Sequence, residues 1–159
     1  MIRRTGRRMW LCACLLTANL AFIWGNSLLP GELSGTLSKW VHTLVSFLFP
    51  GGEEDSQGHG LLRKLAHFSE FCTLGMVLSW LFAMLRKKKW AFVIPSLVCG
   101  CLAACVDETI QRFVPDRGPS IKDVGIDSAG VLLGIGLLSL GYTIHQKKKK
   151  HKHFGGKQI

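Results

Sequence analysis

The sequence predicts an all-α membrane protein: a four-transmembrane-helix bundle with an amphipathic helix lying in the outer interface between helices one and two. Three observations carry that prediction. Of 159 residues, 48% are hydrophobic and the mean hydropathy is +0.26, a balance that points to one small bundle rather than several soluble domains. Four stretches are apolar over the ~20 residues that cross a hydrocarbon core, with helices expected roughly over 9–29, 65–85, 90–114 and 123–145. The basic residues gather in segments that share one side of such a bundle.

Arg3, Arg4, Arg7 and Arg8 precede the first span. They make a plausible n-region for export, but the apolar run is too long for a signal peptide. No A-x-A-like site stands before Pro30, so an uncleaved first span is expected. After it, Leu37, Trp40, Val41, Leu44, Val45 and Leu48 recur at helical spacing between the breakers Pro30 and Pro50. That stretch is too short to span and fits an interfacial helix, or equally a short helix that caps the bundle. Residues 51–60, with three acids and four glycines, read as a flexible link.

Arg86 to Lys89 join the second and third spans, and Lys147 to Lys150, Lys152 and Lys157 follow the fourth. None of these basic segments holds an acid, so the positive-inside rule places both termini in the cytoplasm of a multi-pass cell-membrane protein. Residues 1–146 then form the membrane domain and 147–159 a basic cytoplasmic tail. The net charge of +10 suits topology and attraction to anionic lipid; no nucleic-acid partner is expected. All six cysteines fall inside the proposed spans, where they act as small apolar residues rather than a disulfide framework or zinc site.

The stretch from Asp107 to Asp127 holds five carboxylates between two apolar spans. The predicted topology puts Asp107 and Glu108 roughly 10 Å below the outer end of helix three, if that helix ends near Val114. Asp127 lies about 6 Å below Asp123 on helix four, and His67 and Glu70 lie roughly 5 to 10 Å into helix two. At ~100° per residue, Asp123, Asp127, Gly130, Gly134 and Gly141 form one stripe, as do Gly100, Ala104, Asp107 and Gln111 with Glu108 beside them. His67 and Glu70 are i, i+3 neighbours. Glycine allows close helix approach, and charge facing lipid costs several kcal/mol, so these faces should meet inside the bundle.

Such a set could serve mutual neutralisation, with Lys64, Arg112, Arg117 and Lys122 balancing the acids. Apolar packing of similar volume is often at least as stable as a buried ionic network, which favours a functional reading. Carboxylates and an amide oxygen suit a divalent cation, with Asp107, Glu108 and Asp127 as candidate ligands and His67 as an additional ligand or proton carrier. Lys64, Gln111, Arg117, Asp123 and Asp127 are candidate ligand-binding groups, and the basic cluster at the membrane face suits the phosphate of a lipid-linked molecule. His67, Glu70, Asp107 and Glu108 are the candidate catalytic groups, His67 or Glu70 as general base. No P-loop, H-E-x-x-H, G-x-S-x-G or Rossmann glycine pattern occurs, so the enzyme reading rests on inventory alone.

Four motifs carry a resemblance: N-S-L-L-P-G-E-L-S-G-T-L-S-K-W-V at 26–41, R-K-L-A-H-F-S-E-F at 63–71, D-E-T-I-Q-R-F-V-P-D-R at 107–117 and K-D-V-G-I-D-S-A-G-V-L-L-G at 122–134. Together they resemble the VanZ-like family. The resemblance implies a bacterial integral membrane protein of four helices, from a family named after a member that gives low-level teicoplanin resistance; it implies no defined reaction. Its motif positions fall on Lys64, His67, Glu70, Asp107, Glu108, Gln111, Arg117, Asp123 and Asp127. Two positions depart from it: Asp116 stands where glycine is common, and Phe71 where tyrosine is common. The functional expectation is a polar pocket near the outer leaflet that binds or processes an anionic envelope lipid or precursor. The alternative is a non-enzymatic membrane module that binds a cation, moves protons or holds a partner protein.

Overall fold

The computed structural model describes residues 2–30, 58–85, 90–115, 117 and 120–155. Four helices make up its regular structure: α1 (Ile2–Ser27), α2 (Gly58–Leu85), α3 (Val93–Gln111) and α4 (Ile121–Gly155). Among the described residues there is no strand. Each helix contains a stretch long and apolar enough to cross a bilayer: Gly6–Ser27, Lys64–Leu85, Val93–Gln111 and Ile121–Lys147. The chain is therefore a multi-pass, all-α membrane protein, as its hydropathy predicts. The interfacial helix expected within 37–48 lies outside the described residues.

The helix ends depart from the hydropathy boundaries for identifiable reasons. α1 begins at Ile2 and α4 runs on to Gly155, so the flanking Arg and Lys residues are helical too. Both residue types are good helix formers that a hydropathy window does not register as span. Residues 58–60, expected in the flexible link, belong to α2. α3 is shorter than expected. It starts at Val93 because Trp90 adopts a positive φ of 67° in the preceding turn. At the other end Phe113 N–H bonds to Ile110 and Val114 N–H to Gln111, i to i+3 pairings that tighten the last turn before Pro115.

Lipid tails are as apolar as leucine, so close packing has to hold these helices together. α4 lies nearest to α2, and glycine makes the approach possible. A Cβ at Gly130 would stand 2.5 Å from the Phe68 carbonyl oxygen, and one at Gly134 would collide with that of Cys72. Gly141, in the same sequence stripe, meets open space, so the close contact ends before it. Val131 drives its backbone against Gly75 of α2 and its side chain over Gly100 of α3, where a Cβ would stand 2.5 Å from Val131 Cγ1. Ile23, Phe71, Leu74, Ala104, Val131 and Ile135 form the core around this knob. Phe71 is fully buried there, where a tyrosine hydroxyl would need a partner. Trp10, Phe22, Ile94, Leu102 and Leu140 are exposed and suit a bilayer.

Candidate functional site

Helices that alternate in direction bring four ends together on the side away from the chain termini: the close of α1, the start of α2, the close of α3 and the start of α4. Their polar residues meet in one layer. His67, Glu70, Asp107, Glu108, Gln111, Arg117 and Asp127 are all buried there. Because α3 ends at Gln111 rather than Val114, Asp107 sits only about 6 Å from that end, one turn nearer the surface than expected.

Asp107 is wholly buried and well supplied with donors. The Ser27 hydroxyl donates to Oδ1 at 2.6 Å and the Gln111 amide to Oδ2 at 2.8 Å, while the same amide reaches Ser27 Oγ at 3.4 Å. Asn26 Nδ2 donates to Glu70 Oε1 at 3.1 Å. These bonds tie α1 to α2 and α3 through two side chains that the sequence reading did not select. Asn26 and Ser27 carry no charge; the signals for them were a polar pair closing an apolar span before Pro30 and their place at the head of the motif at 26–41.

Two other charged residues serve helix ends. Arg117 donates from Nη1 to the Ser27 carbonyl and from Nη2 to the Asn26 carbonyl, both at 3.4 Å. A guanidinium there bonds the Ser27 carbonyl and shares that of Asn26 with the Leu29 N–H, at the negative end of α1. Glu108 Oε2 accepts the Ser120 N–H at 2.8 Å, just before α4, where the helix dipole favours an anion. Lys64 and Asp123 pair at 3.6 Å at the rim, the lysine side chain 43% exposed. Arg112 and Lys122 are exposed, so of the four basic residues expected to balance the acids, Lys64 and Arg117 reach the layer.

The remaining groups point at one another. His67 Nδ1 lies 3.8 Å from Glu70 Oε2 and 3.9 Å from Asp107 Oδ2, each longer than a hydrogen bond. One ligand atom from each of His67, Asp107 and Asp127 lies within 4.8 Å of the other two. Asp127 is 2% exposed, and among the described residues nothing donates a hydrogen bond to it. Beside it is a cavity of about 10 Å³, lined by Lys64, His67, Glu108, Gln111, Asp123, Ile126 and Asp127. That is room for about one water molecule or ion.

A second feature adjoins the layer. An apolar groove of about 360 Å³ runs between α1, α2 and α3, lined by residues including Leu16, Leu20, Trp24, Leu74, Leu78, Ala103 and Val106. Trp24, Leu74 and Ala103 each lie about one helical turn from Ser27, Glu70 and Asp107, respectively. The groove therefore opens on the α1–α2–α3 face about one turn from Ser27, Glu70 and Asp107, and it shares no lining residue with the small cavity beside Asp127.

The model of the VanZ/LLP1 family matches residues 9–142. The chain belongs to the VanZ/LLP1 family. Every residue of the polar layer lies within the match, so this VanZ/LLP1 protein gathers its charged motifs at one end of its bundle. No curated protein and no solved structure matches the chain.

Proposed function

We propose that this VanZ-family membrane protein binds the anionic headgroup of a cell-envelope lipid or lipid-linked precursor at the polar layer. The observation that carries the reading is a buried polar layer that has a small charged cavity on its α4 side and, on the neighbouring α1–α2–α3 face, an apolar groove about one turn from Ser27, Glu70 and Asp107. A headgroup bound at the layer would extend its hydrocarbon chain along Leu20, Trp24 and Leu78. Lys64, half exposed at the rim, is the group best placed to meet a phosphate first. Arg7, Arg8 and Lys147 lie at the opposite end of the bundle, so the positive-inside rule turns the site toward the outer leaflet and both termini toward the cytoplasm. A site there could alter how glycopeptides such as teicoplanin meet the cell surface.

Native mass spectrometry of the detergent-purified chain tests this directly, with wild type beside Leu20→Trp, which fills the groove, and Lys64→Ala. The expected result is a phospholipid or isoprenyl-phosphate adduct that survives activation in wild type and falls in both variants. Adduct-free spectra in all three folded proteins would overturn the reading, as would ordinary membrane lipid retained equally by all. The second reading, a cation- or proton-binding module without a lipid ligand, is favoured by one observation: the cavity beside Asp127 has room for about one water molecule or ion.

A further inference from the structure

The buried charges of the layer do not balance. Among the described residues, Glu70, Asp107, Glu108 and Asp127 are buried and Arg117 is the buried guanidinium among them. Three of the acids have hydrogen-bond donors: Asn26 for Glu70, Ser27 and Gln111 for Asp107, and the Ser120 N–H for Glu108. Asp127 has none among the described residues and faces the small cavity. A carboxylate so placed costs several kcal/mol unless a cation or a proton joins it.

We infer that His67, Asp107 and Asp127 hold one divalent cation of the Mn2+ or Zn2+ kind. The three residues come from three different helices, and their ligand atoms lie within 4.8 Å of one another. Oxygen and nitrogen ligands at ~2.1 Å from a metal stand about 3 to 3.5 Å apart, so the side chains close by an ångström or two when the ion enters. The mixed donor set discriminates: imidazole suits zinc and its neighbours, paired carboxylates suit manganese, and an all-oxygen magnesium or calcium site would not use histidine. The Gln111 and Ser27 hydrogen bonds fix the Asp107 carboxylate as outer partners of metal ligands do. Glu108, a ligand candidate in the sequence reading, is held at the start of α4 instead.

The ion deepens the lipid reading, since it would let an acidic layer accept a phosphate, yet it is measured without lipid. Full-length protein in lipid-free detergent is stripped with chelator and titrated with Mn2+, and the free ion is followed by electron paramagnetic resonance. Tail residues His151 and His153 are replaced by asparagine in every sample. One Mn2+ per chain is expected, displaced by Zn2+ far more readily than by Mg2+. Asp127→Asn and His67→Gln should weaken binding about 100-fold or more, and His145→Gln, exposed near the far end of α4, no more than about threefold. Stability supplies a second readout. Asp127→Asn removes an unpaired buried charge, so the metal-free variant should melt at or above wild type while losing the rise in melting temperature that Mn2+ gives wild type.

Absence of stoichiometric binding in wild type would overturn the inference, as would equal binding in all variants. A metal-free Asp127→Asn protein that melts below wild type would also overturn it, by making Asp127 a structural acceptor. A lipid adduct found without metal binding would leave the lipid reading intact and remove the ion. Metal binding without an adduct would do the reverse.

Discussion

Where α1 and α3 end, helix is joined to helix by hydrogen bonds: Ser27 and Gln111 to Asp107, Asn26 to Glu70, Arg117 to the last carbonyls of α1. Away from that end the helices meet through apolar contact, and grooves open between them, of about 360 Å³ among α1, α2 and α3 and about 380 Å³ between α2 and α4. At the depth where the polar end meets the first groove lies the tight crossing of Gly130, Val131 and Gly134 on α2 and α3. The crossing accounts for how a bundle coheres in hydrocarbon, where packing replaces the hydrophobic effect. The polar end does not follow from that need. Among the described residues it holds more buried acid than its hydrogen bonds satisfy: no donor reaches Asp127, and Glu70 Oε2 and Asp123 Oδ1 also lack one.

The largest expected effect tests the crossing. Gly134→Val places side-chain atoms against the Cys72 backbone and should cost about 3 kcal/mol, read as the midpoint of detergent unfolding. Gly141→Val, seven residues further along the same stripe and in open space, should change that midpoint by less than about 0.5 kcal/mol. Equal effects at the two positions would show that α4 does not pack through its glycines.

A matched pair of serines separates the two regions next. Ser27 and Ser79 are both fully buried, but Ser27 donates to Asp107 at 2.6 Å whereas the Ser79 hydroxyl has no hydrogen-bond partner. Ser27→Ala should cost about 1.5 to 3 kcal/mol, because it withdraws a donor from a buried acid. Ser79→Ala should be neutral or slightly stabilising by the same unfolding measurement. If both proved neutral, the hydrogen bonds of the polar end would contribute nothing to holding the bundle.

Much of this was legible in the sequence. The spans follow from uninterrupted apolar runs, and the meeting of His67, Glu70, Asp107, Gln111 and Asp127 follows from depth and angle on helices of known direction. What was not legible depended on close geometry or on uncharged groups. The donors Asn26 and Ser27 gave no charge to count, Gly75 lay outside any acidic stripe, and the helix-end roles of Glu108 and Arg117 depend on how the chain between α3 and α4 turns back. α1 and α4 run past their apolar spans because arginine and lysine extend a helix without extending its hydropathy, while α3 ends at Gln111, in a turn that tightens before Pro115.

The smallest stability effect is expected at Lys64, and it distinguishes a scaffold from a binding site. Its pairing with Asp123 is long at 3.6 Å and its side chain 43% exposed, so Lys64→Ala should cost under about 0.5 kcal/mol. Loss of a phosphate ligand at the rim would nonetheless show as a weaker lipid adduct, and Lys64→Glu should weaken it further by repulsion while Lys64→Arg restores it. A graded response of binding, Arg above Ala above Glu, with unfolding midpoints that do not move, would assign the lysine to the ligand. If the midpoints fell in that same order, the lysine would instead belong to the fold, and the polar end would serve as a clasp like the crossing beneath it.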